Sequence, residues 1–219
     1  MCKIYQLFDL TKTLAGKYLS CYEYPWEAWE GLGAFVRGLG NCLDEREYIQ
    51  LARGVWLHRS ARIDPLAHID SPCIIGAGAE VRHGAYIRGG VLVGEKCVVG
   101  NSTELKNCIL FNGAKAPHFN YVGDSILGFN AHLGAGSITS NVKSDESLVV
   151  VKSEEGEFAT KRKKVGAFIG DFAEIGCNSV LNPGAVIGKR SIVYPLSSVR
   201  GFVEENCVFK SQNCVEKRR

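Results

Sequence analysis

A six-residue period of large apolar side chains runs through the middle of the sequence and restricts its fold more than any other feature. From Leu57 to Phe111, every sixth position holds Leu, Ile, Val or Phe. A period of six fits neither the 3.6-residue period of a helix nor the 2-residue period of a strand. It is typical of a chain that forms a flat strand, turns a corner and repeats, so that three faces close one coil of about eighteen residues.

A second ladder, made of small side chains, accompanies the first. It occupies the position four residues after each large one, at Ala67, Cys73, Ala79, Ala85, Val91, Cys97 and Thr103. A side chain that points into a narrow prism beside a corner has little room, because protein interiors are densely packed. The two ladders together predict a mainly β fold, a single-stranded parallel β-helix of hexapeptide repeats.

The first 54 residues lack this period and carry a helix-like pattern instead. Apolar residues between Trp26 and Leu39 have helical spacing, Pro25 suits a first turn, and Gly40 with Asn41 suits an end. A β-helix exposes unpaired backbone groups at its ends. We therefore predict a short N-terminal α-helical cap over the first coil, in preference to a separate functional module.

The period is interrupted twice. The frame breaks between Phe111 and Leu127, where we expect the chain to leave the prism, and it is lost over residues 140–164, which we interpret as an extruded hairpin arm. Hexads return from Ile169 to Val199 and then end. The predicted domains are a helical cap at 1–54, a β-helix at 55–200 with the arm at 140–164, and a C-terminal tail at 201–219.

Composition excludes several classes of function. No apolar run reaches eighteen residues and the first residues do not resemble a signal peptide, which predicts a cytoplasmic protein without a membrane partner. The net charge of +3 is too small to indicate a nucleic-acid partner. The nine cysteines are an odd set without a C-x-x-C pair, so we expect reduced residues and neither disulfides nor a metal site.

One pair of cations has a notable spacing. Arg88 and Lys106 are eighteen residues apart, so they are predicted to stack on adjacent coils about 4.8 Å apart. Stacked cations repel each other by only about 1 kcal/mol in water, so a purely solvated pair remains an alternative. Their position next to the first frame break, which contains His118, favours an anion-binding site.

Three segments resemble a known family. They are Glu104-Leu105-Lys106, the run KAPHFNYVGD from Lys115 to Asp124, and the run LGAGSITSN from Leu133 to Asn141. They resemble the left-handed β-helix acetyltransferase domain of the bifunctional enzyme that makes UDP-N-acetylglucosamine. Together with KVGAFIGD at 164–171, they are also similar to the β-helix domains of microbial sugar-1-phosphate nucleotidylyltransferases. The resemblance covers about residues 55–199 and implies that the β-helix is left-handed.

The resemblance also implies a substrate site. The phosphate-binding arginine and lysine of the family match Arg88 and Lys106, and a further lysine matches Lys164, with Lys163 as a rival. The catalytic histidine matches His118. The residues that hold the sugar match Tyr121 and Asn141, and Asn141 is also predicted to be one of the catalytic residues.

Acetyl-CoA is implied as the co-substrate, without a metal. A backbone N–H near Ala135 would face the developing oxyanion, because the neighbouring glycines permit close approach. Cys177 replaces a serine and Tyr194 replaces a small alanine at the positions that contact coenzyme A in the family. His132 replaces an asparagine.

The function implied is transfer of an acetyl group from acetyl-CoA to the amine of an amino-sugar 1-phosphate, such as glucosamine 1-phosphate, in nucleotide-sugar precursor synthesis. A histidine base suits this reaction because imidazole titrates near neutral pH. No nucleotidylyl transfer is expected, since the sequence lacks the Gly-rich loop of that domain. The family resemblance further implies a homotrimer in which arm 140–164 completes a neighbour's site. The alternative is a non-catalytic trimeric scaffold or sugar-phosphate sensor.

Overall fold

The computed structural model describes residues 2–153, 156–212 and 214–218. The chain is mainly β and coils as a left-handed parallel β-helix, as the two ladders and the resemblance predict. Consecutive coils pair in parallel, for example Ile75 with Val93 and Val81 with Val99. Both of these pairs are eighteen residues apart, which confirms the predicted coil length in the first part of the prism.

The α-helices are Ile4–Leu7, Gly16–Leu19 and Leu32–Gly40, and the 3-10 helices are Leu10–Lys12 and Pro25–Trp29. The larger sheet has fourteen strands: Tyr48–Ala52, Val55–His58, His68–Ile69, Cys73–Ile75, Tyr86–Val93, Glu104–Leu110, Tyr121–Gly123, Ile126–Leu127, Ile138–Thr139, Phe168–Ile169, Val180–Leu181, Val186–Ile187, Ser198–Val199 and Phe202–Val203. The second has nine: Arg62–Ile63, Glu80–Val81, Val98–Asn101, Lys115–His118, His132–Leu133, Glu174–Ile175, Ile192–Val193, Cys207–Ser211 and Cys214–Lys217. A separate hairpin pairs Val150–Ser153 with Gly156–Ala159.

The inside of the prism is filled by both predicted ladders. Ile75, Ile87, Val99 and Leu105 of the large ladder are fully buried in one apolar cluster, and so is Cys97 of the small ladder. All nine cysteines are free thiols. Burial raises the pKa of the Cys97 thiol to about 12, so this side chain behaves as a small apolar residue.

The first frame break is not a departure from the prism. Leu105 pairs with Val122, seventeen residues later, and Val99 pairs with Ala116 at the same spacing. The coil has lost one residue and stays in register with its neighbours. Phe111 therefore does not point into the prism, as the hexads predicted; it packs outside against Phe8, with ring centroids 5.2 Å apart.

The N-terminal helices lie along one flank of the prism, so the predicted position over the first coil is wrong. This flank carries a column of outward-facing apolar residues, all buried beneath the N-terminal segment and the hairpin. Its members are Trp56, Ile74, Leu92, Ile109, Ile126, Phe168 and Val186. Trp26 and Trp29 pack on Phe168 with ring centroids 5.8 and 6.0 Å away. A β-helix with such a flank needs an apolar cover along its length.

Antiparallel strands, not helices, cover the edges of the first and last coils. Tyr48–Ala52 pairs with Val55–His58, and Cys214–Lys217 pairs with Cys207–Ser211. The coils also continue past Val199 through Phe202–Val203, where we expected the tail to begin. The domain boundaries themselves stay a prediction.

The predicted hairpin is present and packs on its own chain. Val149 and Val151 are fully buried, and Phe158 lies 5.1 Å from the Tyr24 ring between centroids. Glu154 and Glu155 of the predicted arm lie outside the described residues. Apolar contacts hold the hairpin on this flank, and the completion of a neighbouring subunit's site by arm 140–164 stays a prediction. None of the described helices has the length and apolar character needed to span a bilayer.

Candidate active site

One face of the prism brings the predicted phosphate-binding residues together. Arg88 pairs with Lys106, and Lys106 pairs with Gly123, so the three occupy one outward column on successive coils. The stacking of the two cations is as predicted. A parallel column two residues away carries Tyr86, Glu104 and Tyr121, whose side chains point to the same face.

Gly123 makes room for the Tyr121 ring. A Cβ atom on Gly123 would lie 2.5 Å from Tyr121 Oη, which is closer than real Cβ contacts occur. The ring therefore folds across the third position of the cation column. Asn141 Nδ2 donates a hydrogen bond to Tyr121 Oη over 3.2 Å. Burial and the nearby Asp124 carboxylate raise the pKa of Tyr121, so its hydroxyl is a neutral hydrogen-bond donor at physiological pH.

A ladder of three polar residues supports this pair. Asn107, Asp124 and Asn141 are each seventeen residues apart and lie at one corner of successive coils. Asp124 is only 5% exposed, and its Oδ1 accepts a hydrogen bond from Asn107 Nδ2 over 2.8 Å. Its Oδ2 accepts one from Asn141 Nδ2. In the sequence analysis Asp124 is named only as part of a motif and is given no role. The signal that identifies the ladder is the seventeen-residue spacing of its three polar residues.

Arg88 has a partner that the sequence analysis missed. Its Nη1 lies 3.0 Å from Glu104 Oε1, and both side chains are partly exposed. The hydrogen bond to Glu104 raises the pKa of Arg88. The two residues are sixteen apart, which is the spacing of diagonal neighbours when a coil has eighteen residues. An anion that binds Arg88 must therefore displace the Glu104 carboxylate or bind the guanidinium beside it.

Lys164 lies at the same corner through backbone contacts. Lys164 forms an antiparallel bridge with Val142, and the N–H of Val165 donates to the carbonyl of Asn141 over 3.0 Å. Lys164 belongs to the same chain as Asn141, so the return of the chain after the hairpin brings it there. Lys163 is exposed like Lys164, and the assignment between them stays a prediction.

His118 is exposed and lies at a corner, not in the apolar interior. His118 pairs with Asn101 in the preceding coil, and the His118 carbonyl accepts a hydrogen bond from the Gly136 N–H over 3.0 Å. The next residue, Phe119, has a left-handed backbone with φ 53° and a 62% exposed side chain. The same conformation recurs at other corners of the prism, for example at Phe172 and Leu196 with φ 59° and 61°.

The residues predicted at the acetyl-CoA end continue along this corner. The Asn178 N–H donates to the Ala135 carbonyl over 2.8 Å, and the Leu196 N–H donates to the Cys177 carbonyl over 2.9 Å. With His118 one coil before Ala135, these residues rise along the corner by about 4.8 Å per coil. Cys177 is exposed and Tyr194 is 45% exposed.

The structure thus separates the predicted residues into two adjoining groups. Arg88, Lys106, Tyr121, Asn141 and Lys164 lie on the face and its far corner, whereas the remaining predicted residues line the near corner, namely His118, Ala135, Cys177 and Tyr194. His132 lies on the second sheet, with its Nδ1 2.8 Å from Glu174 Oε2. Across the described ranges, no group of three His, Cys, Asp or Glu side chains could hold a metal ion.

Comparison with known proteins identifies one matching family model and several curated relatives. A family model described as the GMPPB C-terminal domain matches residues 69–155. The bifunctional sugar-1-phosphate nucleotidylyltransferase/acetyltransferase of Sulfurisphaera tokodaii is 34% identical over 176 residues, covering 80% of this chain and 43% of that protein. The chain carries a left-handed β-helix of the acetyltransferase-domain type. The bifunctional protein GlmU of Methanococcus maripaludis strain C5 is 37% identical over 132 residues, covering 60% of this chain and 32% of that protein.

The chain thus spans less than half the length of these two curated relatives. Among solved structures, PerB from Caulobacter crescentus, in complex with CoA and GDP-perosamine, aligns with a TM-score of 0.39 and 17% identity. That alignment covers 74% of this chain and 56% of PerB.

Proposed function

We propose that the chain transfers an acetyl group from acetyl-CoA to the amine of an amino-sugar 1-phosphate similar to glucosamine 1-phosphate. The observation that carries the proposal is the single face on which Arg88, Lys106, Tyr121 and Asn141 lie together, next to a corner that exposes His118. The relatives named as nucleotidylyltransferase/acetyltransferases support the same chemistry.

Arg88, Lys106 and Lys164 hold the phosphate in this proposal. Two stacked cations on a rigid sheet offer a dianion several charge-assisted hydrogen bonds, which are stronger than neutral ones. Tyr121 and Asn141 hold the sugar. Their mutual hydrogen bond keeps both side chains in one orientation before the ligand binds, which lowers the entropic cost of binding.

His118 is the proposed general base. The amine nitrogen attacks the thioester carbonyl, His118 accepts the proton that the amine loses, and the carbon–sulfur bond breaks. Coenzyme A leaves as a thiolate, which takes up one proton from solvent. An exposed imidazole at a corner can exchange this proton with solvent between turnovers. The backbone N–H of Ala135, one coil further on, is proposed to face the developing oxyanion, where a fixed donor stabilises the transition state.

Acetyl-CoA is proposed to lie along the corner that carries Ala135, Cys177 and Tyr194. This direction leads away from the cation column, so the two substrates would approach His118 from opposite ends of the prism. The proposal includes no nucleotidylyl transfer by this chain. We further propose that the protein is cytoplasmic and forms a homotrimer. The trimer is supported by the exposed apolar side chains of Phe119 and Leu196 beside the site, which are 62% and 80% exposed.

The test is an acetyl-transfer assay with His118→Ala and a matched variant, His83→Ala. His83 lies at the same corner two coils earlier, where the Asn101 side chain donates to its carbonyl. We expect His118→Ala to lower kcat by about a hundredfold or more, the size of a general-base contribution, with nearly unchanged sugar-phosphate affinity. His83→Ala should keep kcat within about twofold. Equal rates in the wild type and His118→Ala would disprove the proposed base.

A sugar-phosphate sensor or scaffold without catalysis is the second candidate. Tyr194, with Lys210 Nζ 6.0 Å from its ring centroid, stands at the corner where the resemblance implies a small alanine near coenzyme A. Thermal-shift measurements separate the two functions, since a specific ligand stabilises the protein by mass action. Stabilisation by both acetyl-CoA and glucosamine 1-phosphate supports the enzyme, whereas stabilisation by the sugar phosphate alone supports the sensor.

A further inference from the structure

Asp124 is a buried carboxylate to which no role has yet been given. It is 5% exposed, and no salt bridge to it exists in the part of the chain that the structure describes. A buried carboxylate without a cation is costly unless hydrogen bonds satisfy its oxygens. Here the amides of Asn107 and Asn141 supply those bonds from the preceding and the following coil.

The carboxylate determines which way the Asn141 amide faces. A carboxylate can only accept hydrogen bonds, so Asn141 must turn its NH2 group toward Asp124. The same Nδ2 also donates to Tyr121 Oη, and these two bonds use both of its hydrogens. Within residues 2–153, 156–212 and 214–218, no donor contacts Asn141 Oδ1, which is left to accept from a ligand.

The orientation of Asn141 in turn determines what Tyr121 offers. Because the Tyr121 oxygen accepts from Asn141, its hydroxyl hydrogen is available for another acceptor. The raised pKa of Tyr121 keeps that hydrogen in place. The pair therefore presents one acceptor, on Asn141, and one donor, on Tyr121. A sugar hydroxyl or a neutral amine has the matching donor and acceptor.

We propose that Asp124 is a positioning residue that fixes the hydrogen-bond polarity of the sugar site, with Asn141 as acceptor and Tyr121 as donor. The inference rests on the proposed function. Without the carboxylate the Asn141 amide is free to reverse, and Tyr121 then donates to Asn141 in place of the ligand. Binding loses both directed hydrogen bonds although no substrate-contacting residue has changed.

Three variants separate positioning from stability. Asp124→Ala removes the acceptor from both asparagines. Asn107→Ala removes the bond on the other side of Asp124 and leaves Asn141 held. The double variant Asn107→Asp/Asp124→Asn moves the charge one coil away: the introduced carboxylate accepts from the introduced amide, whose oxygen then accepts from Asn141. It thereby restores the acceptor that Asn141 faces.

We expect Asp124→Ala to raise the Kd for glucosamine 1-phosphate, measured by calorimetry, by about tenfold, the effect of losing a directed hydrogen bond or two. Asn107→Ala and the double variant should stay within about twofold of the wild type, although urea unfolding will show lower stability for Asn107→Ala. A nuclear Overhauser effect between the Asn141 side-chain amide and the Tyr121 ring should be present in the wild type, Asn107→Ala and the double variant, and lost in Asp124→Ala.

Two results would overturn the inference. One is an Asp124→Ala protein that keeps both the wild-type Kd and the Overhauser effect; the other is an Asn107→Ala protein that loses binding as strongly as Asp124→Ala. If Asp124→Ala does not fold, the double variant decides, because loss of its binding or of its Overhauser effect would also refute the proposal. Failure of the wild type to bind the sugar phosphate would refute the proposed function, and the Overhauser measurements would still test Asp124.

Discussion

Replacing Gly123 with alanine should weaken sugar-phosphate binding without unfolding the protein. The added Cβ would lie 2.5 Å from Tyr121 Oη and 2.7 Å from Cζ. An ordinary contact begins near 3.4 Å, so the phenol must move by about 1 Å. The far end of the ring can swing away cheaply, but the hydrogen bond from Asn141 Nδ2, already 3.2 Å long, then breaks.

The magnitude follows from one hydrogen bond in the proposed site, the one that the displaced Tyr121 hydroxyl no longer donates to the sugar. A neutral hydrogen bond contributes about 0.5–1.5 kcal/mol, which corresponds to about a two- to twelvefold increase in Kd. Calorimetry with glucosamine 1-phosphate measures it. Tyr121→Phe removes the same hydroxyl directly and should give a similar Kd, and Gly123→Ala combined with Tyr121→Phe should add little, because both changes act on one interaction.

Gly38→Ala is the matched control. Gly38 lies in helix Leu32–Gly40, and a Cβ there meets nothing within 4 Å. This change should leave Kd unaltered and stabilise the helix by up to about 1 kcal/mol. The reasoning would be refuted if Gly123→Ala bound like the wild type while Tyr121→Phe bound weakly, since the hydroxyl would then not need the space above Gly123.

Three other measurements test separate parts of the structure. Glu104→Gln should tighten sugar-phosphate binding by about two- to fivefold at low salt, because it frees Arg88, and the gain should shrink as salt screens the charges. The control is Glu80→Gln, which should leave the Kd unchanged because its partners Arg62 and Arg82 lie elsewhere. Leu92→Ala should lower the urea-derived free energy of unfolding by about 2.7–5 kcal/mol, because Leu92 is fully buried under the N-terminal segment, whereas Leu51→Ala, 55% exposed, should cost less than about 0.5 kcal/mol. Because the pKa of Tyr121 is raised above its usual value of about 10, the Kd for glucose 1-phosphate should show no loss of affinity from tyrosine ionisation up to about pH 10, where an unshifted tyrosine would be about half ionised.

The period of the sequence predicted the prism because inward positions of a β-helix are selected by space alone. Ile75 and Val81 needed no information beyond their own spacing. The flank could not be found in this way. Outward residues such as Leu92 and Ile109 look like ordinary strand residues, and only packing against a segment far away in sequence explains why they are apolar. For the same reason the sequence predicts helices over the first coil of the prism, whereas in the structure they cover one flank.

The interruption of the frame pointed to the site, but the physical reason differs from the one expected. Between Arg88 and Val91 the chain turns a corner with two glycines, whereas between Lys106 and Cys108 it turns the same corner with Asn107 alone. That single residue must take up a left-handed conformation, and Asn107 and Asp124 both have φ 47°. Asparagine and aspartate tolerate this conformation better than other side chains do. The shortened corner therefore selects short polar side chains and stacks them coil upon coil, so the lost residue that broke the hexad frame also places Asp124 beneath Asn141.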